Sequence, residues 1–168
     1  GTAAAAATKL ATQGYGQVVP QIPALSDWLD LHGDRGDYTW VIPDCAAAIT
    51  ADRDLESPEF VVGSQAFRLV IGLVRGYGQQ WAAVWLEAVG TQDWAAGKVV
   101  HTCAAVRFTL VNRIGNLSHV WSVVPLQGFT AEQPRIGVER FLPASAVTQP
   151  GSGFVVRDKL TLRVEVAL

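Results

Sequence analysis

From Tyr38 onward, polar and apolar residues alternate in short runs. Leu160-Thr161-Leu162-Arg163-Val164-Glu165-Val166 alternates without a miss, the period of two expected of a strand with one buried face. Val106-Arg107-Phe108-Thr109-Leu110 repeats the pattern. Tyr38 to Ile42, Phe67 to Ile71, Trp81 to Ala88 and His119 to Val124 are rich in aromatic and β-branched residues and are separated by Gly, Pro, Asn or Asp. Helical periodicity is nearly absent. The exception is Pro143-Ala144-Ser145-Ala146-Val147, where proline suits the first turn of one short helix. Strands without intervening helices of roughly 10–15 residues argue for antiparallel pairing, in a sandwich or barrel.

The first 37 residues lack this order. Ala3 to Ala7 is low in complexity, and Gly14, Gly16, Pro20, Pro23, Gly33 and Gly36 break any period. Ser26 to His32 alone suggests a local turn, with Ser26 as a helix cap and Trp28, Leu29 and Leu31 as its apolar side. Residues 1–37 therefore read as an extension or linker, and 38–168 as the folded domain.

Composition narrows the function. The chain has 168 residues, enough for one sizeable core, and 13 basic side chains against 15 acidic ones. That balance supplies no footprint for nucleic acid. No apolar run is long enough to cross a membrane as a helix, and no signal peptide is visible. A start at Gly1 and the lack of methionine suggest a piece of a longer protein. Two cysteines, Cys45 and Cys103, are too few for a disulfide scaffold, so a reducing, cytoplasmic or nuclear setting is expected.

Several chemistries can be weighed and set aside. His101-x-Cys103 with Cys45 and His119 offers four possible zinc ligands, but without C-x₂₋₄-C or H-x₃₋₅-H spacing. Spacing alone does not decide whether Cys45 and Cys103 form a disulfide. Cys103 and His119 as nucleophile and base lack an orienting third group. Phosphate-binding glycine motifs are absent, and Gly72, Gly76 and Gly78 read as turn glycines. Arg35-Gly36-Asp37 spells an adhesion tripeptide of no use in a reducing compartment. Asn116-Leu117-Ser118 is a glycosylation sequon only in a secreted chain, and otherwise part of a hairpin turn. No cofactor, metal or catalytic residue is expected.

The ordered blocks resemble the MATH (meprin and TRAF homology) domain, also called TRAF-like. Tyr38-Thr39-Trp40-Val41-Ile42 is similar to its opening aromatic-x-Trp-x-Ile strand. Glu56 to Gly63 followed by Phe67-Arg68-Leu69 is similar to its S-P-x-F-x-V-G-G-x-x-W-x-L block, with Phe67 in place of Trp. Trp81 to Leu86, Phe108 to Asn112 and Gly137 to Leu142 resemble three further strands. Gly153 to Val166 resembles the closing G-x-L-x-D-D-x-L-x-I-x-x-E-V. The resemblance implies an all-β fold, an eight-stranded antiparallel β-sandwich with one helical turn near 143–147. Trp40, Phe60, Phe67, Phe108, Phe141 and Leu160 are then core residues. Asp158 accepts backbone N–H groups of a turn.

The resemblance also implies a partner: a short extended peptide of another protein, bound along an exposed strand. The family's Asp-Trp-Gly-Phe reading stretch falls on Arg135-Ile136-Gly137-Val138, where only glycine is kept. Its other groove aromatics fall on Trp81, Val106 and His119, and Trp85 on the face of Trp81 would deepen the patch. Arg135 in place of Asp would favour acidic ligands. Pro23-Ala24-Leu25-Ser26 resembles peptides that some MATH domains bind, so residues 20–31 are a candidate internal ligand. Two functions stand: an adaptor or substrate-recruitment module, in the ubiquitin pathway or in scaffolds, and a self-assembly domain making homotypic contacts through a degenerate groove.

Overall fold

The computed structural model describes residues 33–51, 53–103, 105–115, 118–123 and 128–168. Two antiparallel sheets stack face to face. In the first, β1 (Arg35–Ile42) pairs with β10 (Lys159–Ala167), β10 with β6 (Ala105–Leu110), and β6 with β7 (His119–Val123); β9 (Val155–Val156) adds a short hairpin onto β10. In the second, β2 (Leu55–Glu56) and β3 (Phe60–Val62) pair with β4 (Gln65–Gly76), β4 with β5 (Gln79–Ala88), and β5 with β8 (Arg135–Pro143). Of these ten segments β2 and β9 span two residues each, which leaves the eight principal strands of a TRAF-like sandwich.

Period-two alternation explains the layers. On β10, Leu160, Leu162, Val164 and Val166 are buried between the sheets and face inward with Trp40 and Ile42 of β1 and Phe108 and Leu110 of β6. Phe67, Leu69 and Ile71 of β4, Val84 and Leu86 of β5, and Phe141 of β8 meet them from the other side. Burying such a face is the main favourable term for a two-layer fold. Five of the six expected core residues are buried. Phe60 is half-buried and stacks on Tyr38 with ring centroids 4.5 Å apart. Phe129, not anticipated, is fully buried and packs 5.2 Å from the Phe67 ring.

Several boundaries differ from expectation. β1 begins at Arg35, so Arg35-Gly36-Asp37 is strand opposite Ala167, Val166 and Glu165. Gly72 and Gly76 lie within β4, and only Gly78 occupies a turn. Gly72 is required inside the strand because a Cβ there would come within 3.1 Å of the Trp85 ring and 2.5 Å of the Asp54 carboxylate. Cys45 and Cys103 are both buried and free.

Two helices close one end. The expected turn is α2 (Ala144–Thr148), which follows Pro143. The unexpected one, α1 (Cys45–Thr50), is a single six-residue element too short to show a period. It is held from far along the chain. Arg157 and Asp158 both take positive φ (54° and 57°) in the tight β9–β10 hairpin, the geometry of a two-residue I′ turn. From there the Asp158 carboxylate accepts the Ala46 N–H at 2.8 Å, and its carbonyl accepts the Cys45 N–H at 3.0 Å. Asp158 thus acts as the expected acceptor, but for a helix start 112 residues away in sequence.

Asp158→Ala should lower stability by about 1–2 kcal/mol, through lost capping and a less tolerant left-handed position. Asp158→Asn should retain most of it. Urea unfolding of the two variants, at unchanged m, checks this.

Candidate peptide-docking edge

A sandwich leaves terminal strands with one side of their backbone unladdered. β7 ends the first sheet and β8 ends the second; among the described residues β7 pairs only with β6, and β8 only with β5. Strand alternation then decides what each presents. Leu86 pairs with Ile136 and Val84 with Val138, so both β8 residues face inward at the rim, half-buried against the core. On β7, His119 lies opposite Leu110 and Trp121 opposite Phe108, both facing inward. Trp121 stays half-buried, stacked 5.8 Å from Phe108.

His119 sits deeper. It is 5% exposed and meets Phe141 edge-on with centroids 4.7 Å apart. Burial pulls its pKa down to about 4, against a smaller opposing effect of its hydrogen bond to the Phe141 backbone. A neutral imidazole at pH 7 is therefore a packing group that brings no charge to the rim.

The other face of β8 carries a separate cluster. Arg135 lies opposite Glu87 and Gly137 opposite Trp85, on the outer surface of the second sheet. The Arg135 guanidinium stands 5.3 Å from the Trp85 ring centroid and pairs with Glu87, with Asp54 at 3.7 Å. Arg68 binds the same Glu87 carboxylate at 2.6 Å and Glu56 at 3.2 Å. Burial alone would raise the Glu87 carboxyl, but hydrogen bonds from Arg135 and Arg68 outweigh it and hold the group below the ordinary range. Gly137 is kept for steric reasons. A Cβ would lie 2.0 Å from the Val84 carbonyl oxygen and 2.8 Å from Trp85 Cδ1.

The expected groove residues are thus divided. Ile136 and Val138 line the rim, while His119 lies against Phe141 further along β8. Trp85, Arg135 and Gly137 belong to the outer face. Arg135 does not invert the field as expected, because Glu87 and Asp54 match its charge. Trp81 is also on the outer side and only 4% exposed; its indole N–H donates to the Gly76 carbonyl at 2.9 Å. Val106 is fully buried, since β6 lies inside the first sheet between β10 and β7. Neither Trp81 nor Val106 can touch a ligand at this edge. Trp121 is the rim aromatic that sequence reasoning missed, although its spacing of two from His119 placed both on one face.

Two concave features lie at the other end. An apolar cleft of about 30 Å³ is lined by residues including Ile49, Leu73, Phe141 and Val147, and a shallower one of about 310 Å³ by Leu73, Gln79, Gln80 and Thr148. Neither reaches Ile136 or Val138. No group of three or more His, Cys, Asp or Glu suited to a metal ion occurs among the described residues. The Cys103 thiol is pushed up to about 12 by burial, against the favourable effect of the Ala105 backbone, and the Cys45 thiol up to about 11 by burial and the Asp158 charge. Such thiols are protonated and poor nucleophiles.

The sequence profile of the MATH domain matches residues 37–166. The chain belongs to the MATH domain family. Among solved structures, TRAF5 of Notothenia coriiceps shares the fold with a TM-score of 0.63 at 16% identity, covering 79% of this chain and 73% of that one. A search of curated proteins returned no match. MATH domains are generally non-enzymatic modules of protein–protein interaction, and this chain carries one. No helix among the described residues is long and apolar enough to cross a membrane. Residues 20–31, the candidate internal ligand, lie outside the described residues.

Two measurements check the site's physics. Because His119 takes its proton more readily unfolded (about 6.5) than folded (about 4), falling pH favours unfolding across that window. Stability should drop by about 3 kcal/mol as pH falls from 7 towards 4 through this group, and His119→Phe should flatten that slope in urea titrations at each pH. Gly137→Ala should cost about 3 kcal/mol by overpacking against backbone, read as a lowered thermal midpoint.

Proposed function

We propose that this MATH domain recruits a partner protein by holding an extended segment along β8, with its side chains reaching the rim formed by Ile136, Val138 and Trp121. The observation that carries this reading is the nine-residue terminal strand β8, laddered on one side only among the described residues, whose inward side chains are aliphatic and half-buried. Main-chain hydrogen bonds to such an edge supply affinity, and alternate side chains supply selectivity. The ligand class follows from the surrounding charge. With Arg135 matched by Glu87 and Asp54, and His119 neutral, the rim favours an uncharged aliphatic segment over an acidic one. In the cell the module acts as a cytoplasmic or nuclear adaptor, in ubiquitin transfer or removal or in scaffold assembly.

Homotypic assembly through Trp81 and Trp85 has less support. Trp81 is buried, and Trp85 is roofed by Arg135. Selection of binders from a random-peptide display library, followed by titration, tests the reading. Ile136→Asp should weaken selected peptides at least ten-fold, equivalent to about 1.4 kcal/mol. Trp121→Ala should weaken them comparably, as aromatic anchors do, and Val41→Asp on β1 should leave them unchanged. Binding indifferent to Ile136→Asp refutes the edge as the site. A dimer in sedimentation that persists when Ile136 is charged refutes the β8 edge as the site of assembly.

A further inference from the structure

An inward-facing residue of a sandwich is buried where the opposite sheet reaches it. Leu73 continues the inward series Phe67, Leu69 and Ile71 on β4 and lies opposite Ala82, yet it is 40% exposed. Beyond it β4 and β5 run on as a hairpin to Tyr77 and Gly78, which take φ of 52° and 74°, the positive values of a two-residue I′ turn. Arg75 and Gln80 are directly opposed on this overhang, on the face of Leu73, and both are exposed. Such cross-strand partners have Cβ atoms about 5 Å apart.

The two clefts at this end lie under the overhang, and Ile49 of α1, Leu73, and Ala144 and Thr148 of α2 line both. The inner cleft, about 30 Å³, runs into the core towards Leu110, Phe141 and Leu160. Among the described residues that line it, all but Thr148 are apolar. A cavity that takes a benzene ring measures about 150 Å³, so the inner cleft suits the end of an unbranched chain and not a ring. The outer cleft, about 310 Å³, adds Gln79, Gln80 and Ser145, and its size is that of a small-molecule site. Among the described residues Arg75 forms no ion pair, whereas Arg68, Arg107, Arg135 and Arg163 each do. From the core outward the lining is thus apolar, then uncharged and polar, then cationic.

We propose that this end of the sandwich binds an unbranched aliphatic carboxylate, a fatty acid of medium chain length. Its methyl end enters the inner cleft past Leu73, and its carboxylate stays at the mouth with Gln80 and Arg75. The gradient of the lining carries the assignment. Chain carbons leave water against Ile49, Leu73 and Val147, which favours binding with each methylene buried. A guanidinium without a protein carboxylate offers paired N–H donors to the head group, and a glutamine amide adds a neutral donor beside it. The site is separate from the β8 rim, since neither cleft reaches Ile136 or Val138.

Isothermal titration of the full chain with octanoate, octanol and acetate decides it. Octanoate should bind saturably at one site, octanol roughly ten-fold more weakly, and acetate not at all. Arg75→Gln should weaken octanoate by roughly the same factor and leave octanol unchanged. Leu73→Asp should abolish binding of both, and Ser145→Trp, at an exposed position of α2 on the outer cleft, should do so without touching the core. Arg140→Gln, which removes a cation held against Tyr77 and Trp81 on the outer face of the same sheet, should change nothing. No saturable octanoate binding, or binding indifferent to both Arg75→Gln and Ser145→Trp, overturns the proposal. Equal affinity for octanoate and octanol overturns the carboxylate, and a peptide with a free C-terminal leucine that binds more tightly than octanoate overturns the fatty acid in favour of a protein terminus.

Discussion

The constraint on which the structure depends is that a sheet that does not close on itself must end. Backbone donors and acceptors of β4, β5, β6 and β10 are shared with neighbours on both sides, which fixes those strands and buries their inner side chains. The terminal strands receive half of that. Unpaired edges invite association, and proteins either blunt them or use them. Here the rim of β8 combines an open ladder with aliphatic side chains that the core only half covers. The proposed recognition surface would be a by-product of stopping the sheet at β8.

What surrounds that rim determines its character. Burying Glu87 between two guanidiniums, one of which lies over Trp85, takes the positive charge of Arg135 out of play. Gly137 lets the indole lie close to the β8 backbone, so the glycine shared with the family is required by packing on the outer face. The same nine-residue strand therefore does two jobs on opposite faces, a charged clasp outside and an apolar lip inside. Their separation follows from the pleat.

Much of this could be read from residues alone, and the failures have two causes. The alternation of β10 and β6, the Pro143 turn and the acceptor role of Asp158 were legible because each is local. The family's pattern presents Arg135 to Val138 as one strip, although a period of two assigns Arg135 and Gly137 to one face and Ile136 and Val138 to the other. Val106 and Trp81 failed differently. Whether a strand is interior or terminal, and whether a side chain finds cover, depends on pairings between distant segments that no window of sequence contains. The same holds for α1, whose six residues have no period and whose start is fixed by Asp158.

The pairing of β1 with β10 has a consequence for how such a chain comes into being. The first strand of the sandwich is completed only by the last, and α1 is pinned by the final hairpin. Contacts of this reach make folding slow, because the loop entropy is spent before the contact is gained. During synthesis, Trp40 and Ile42 emerge from the ribosome well over a hundred residues ahead of Leu160 and Leu162. Until those arrive, the nascent chain carries an apolar strand with no mate, and a chaperone has its longest opportunity there.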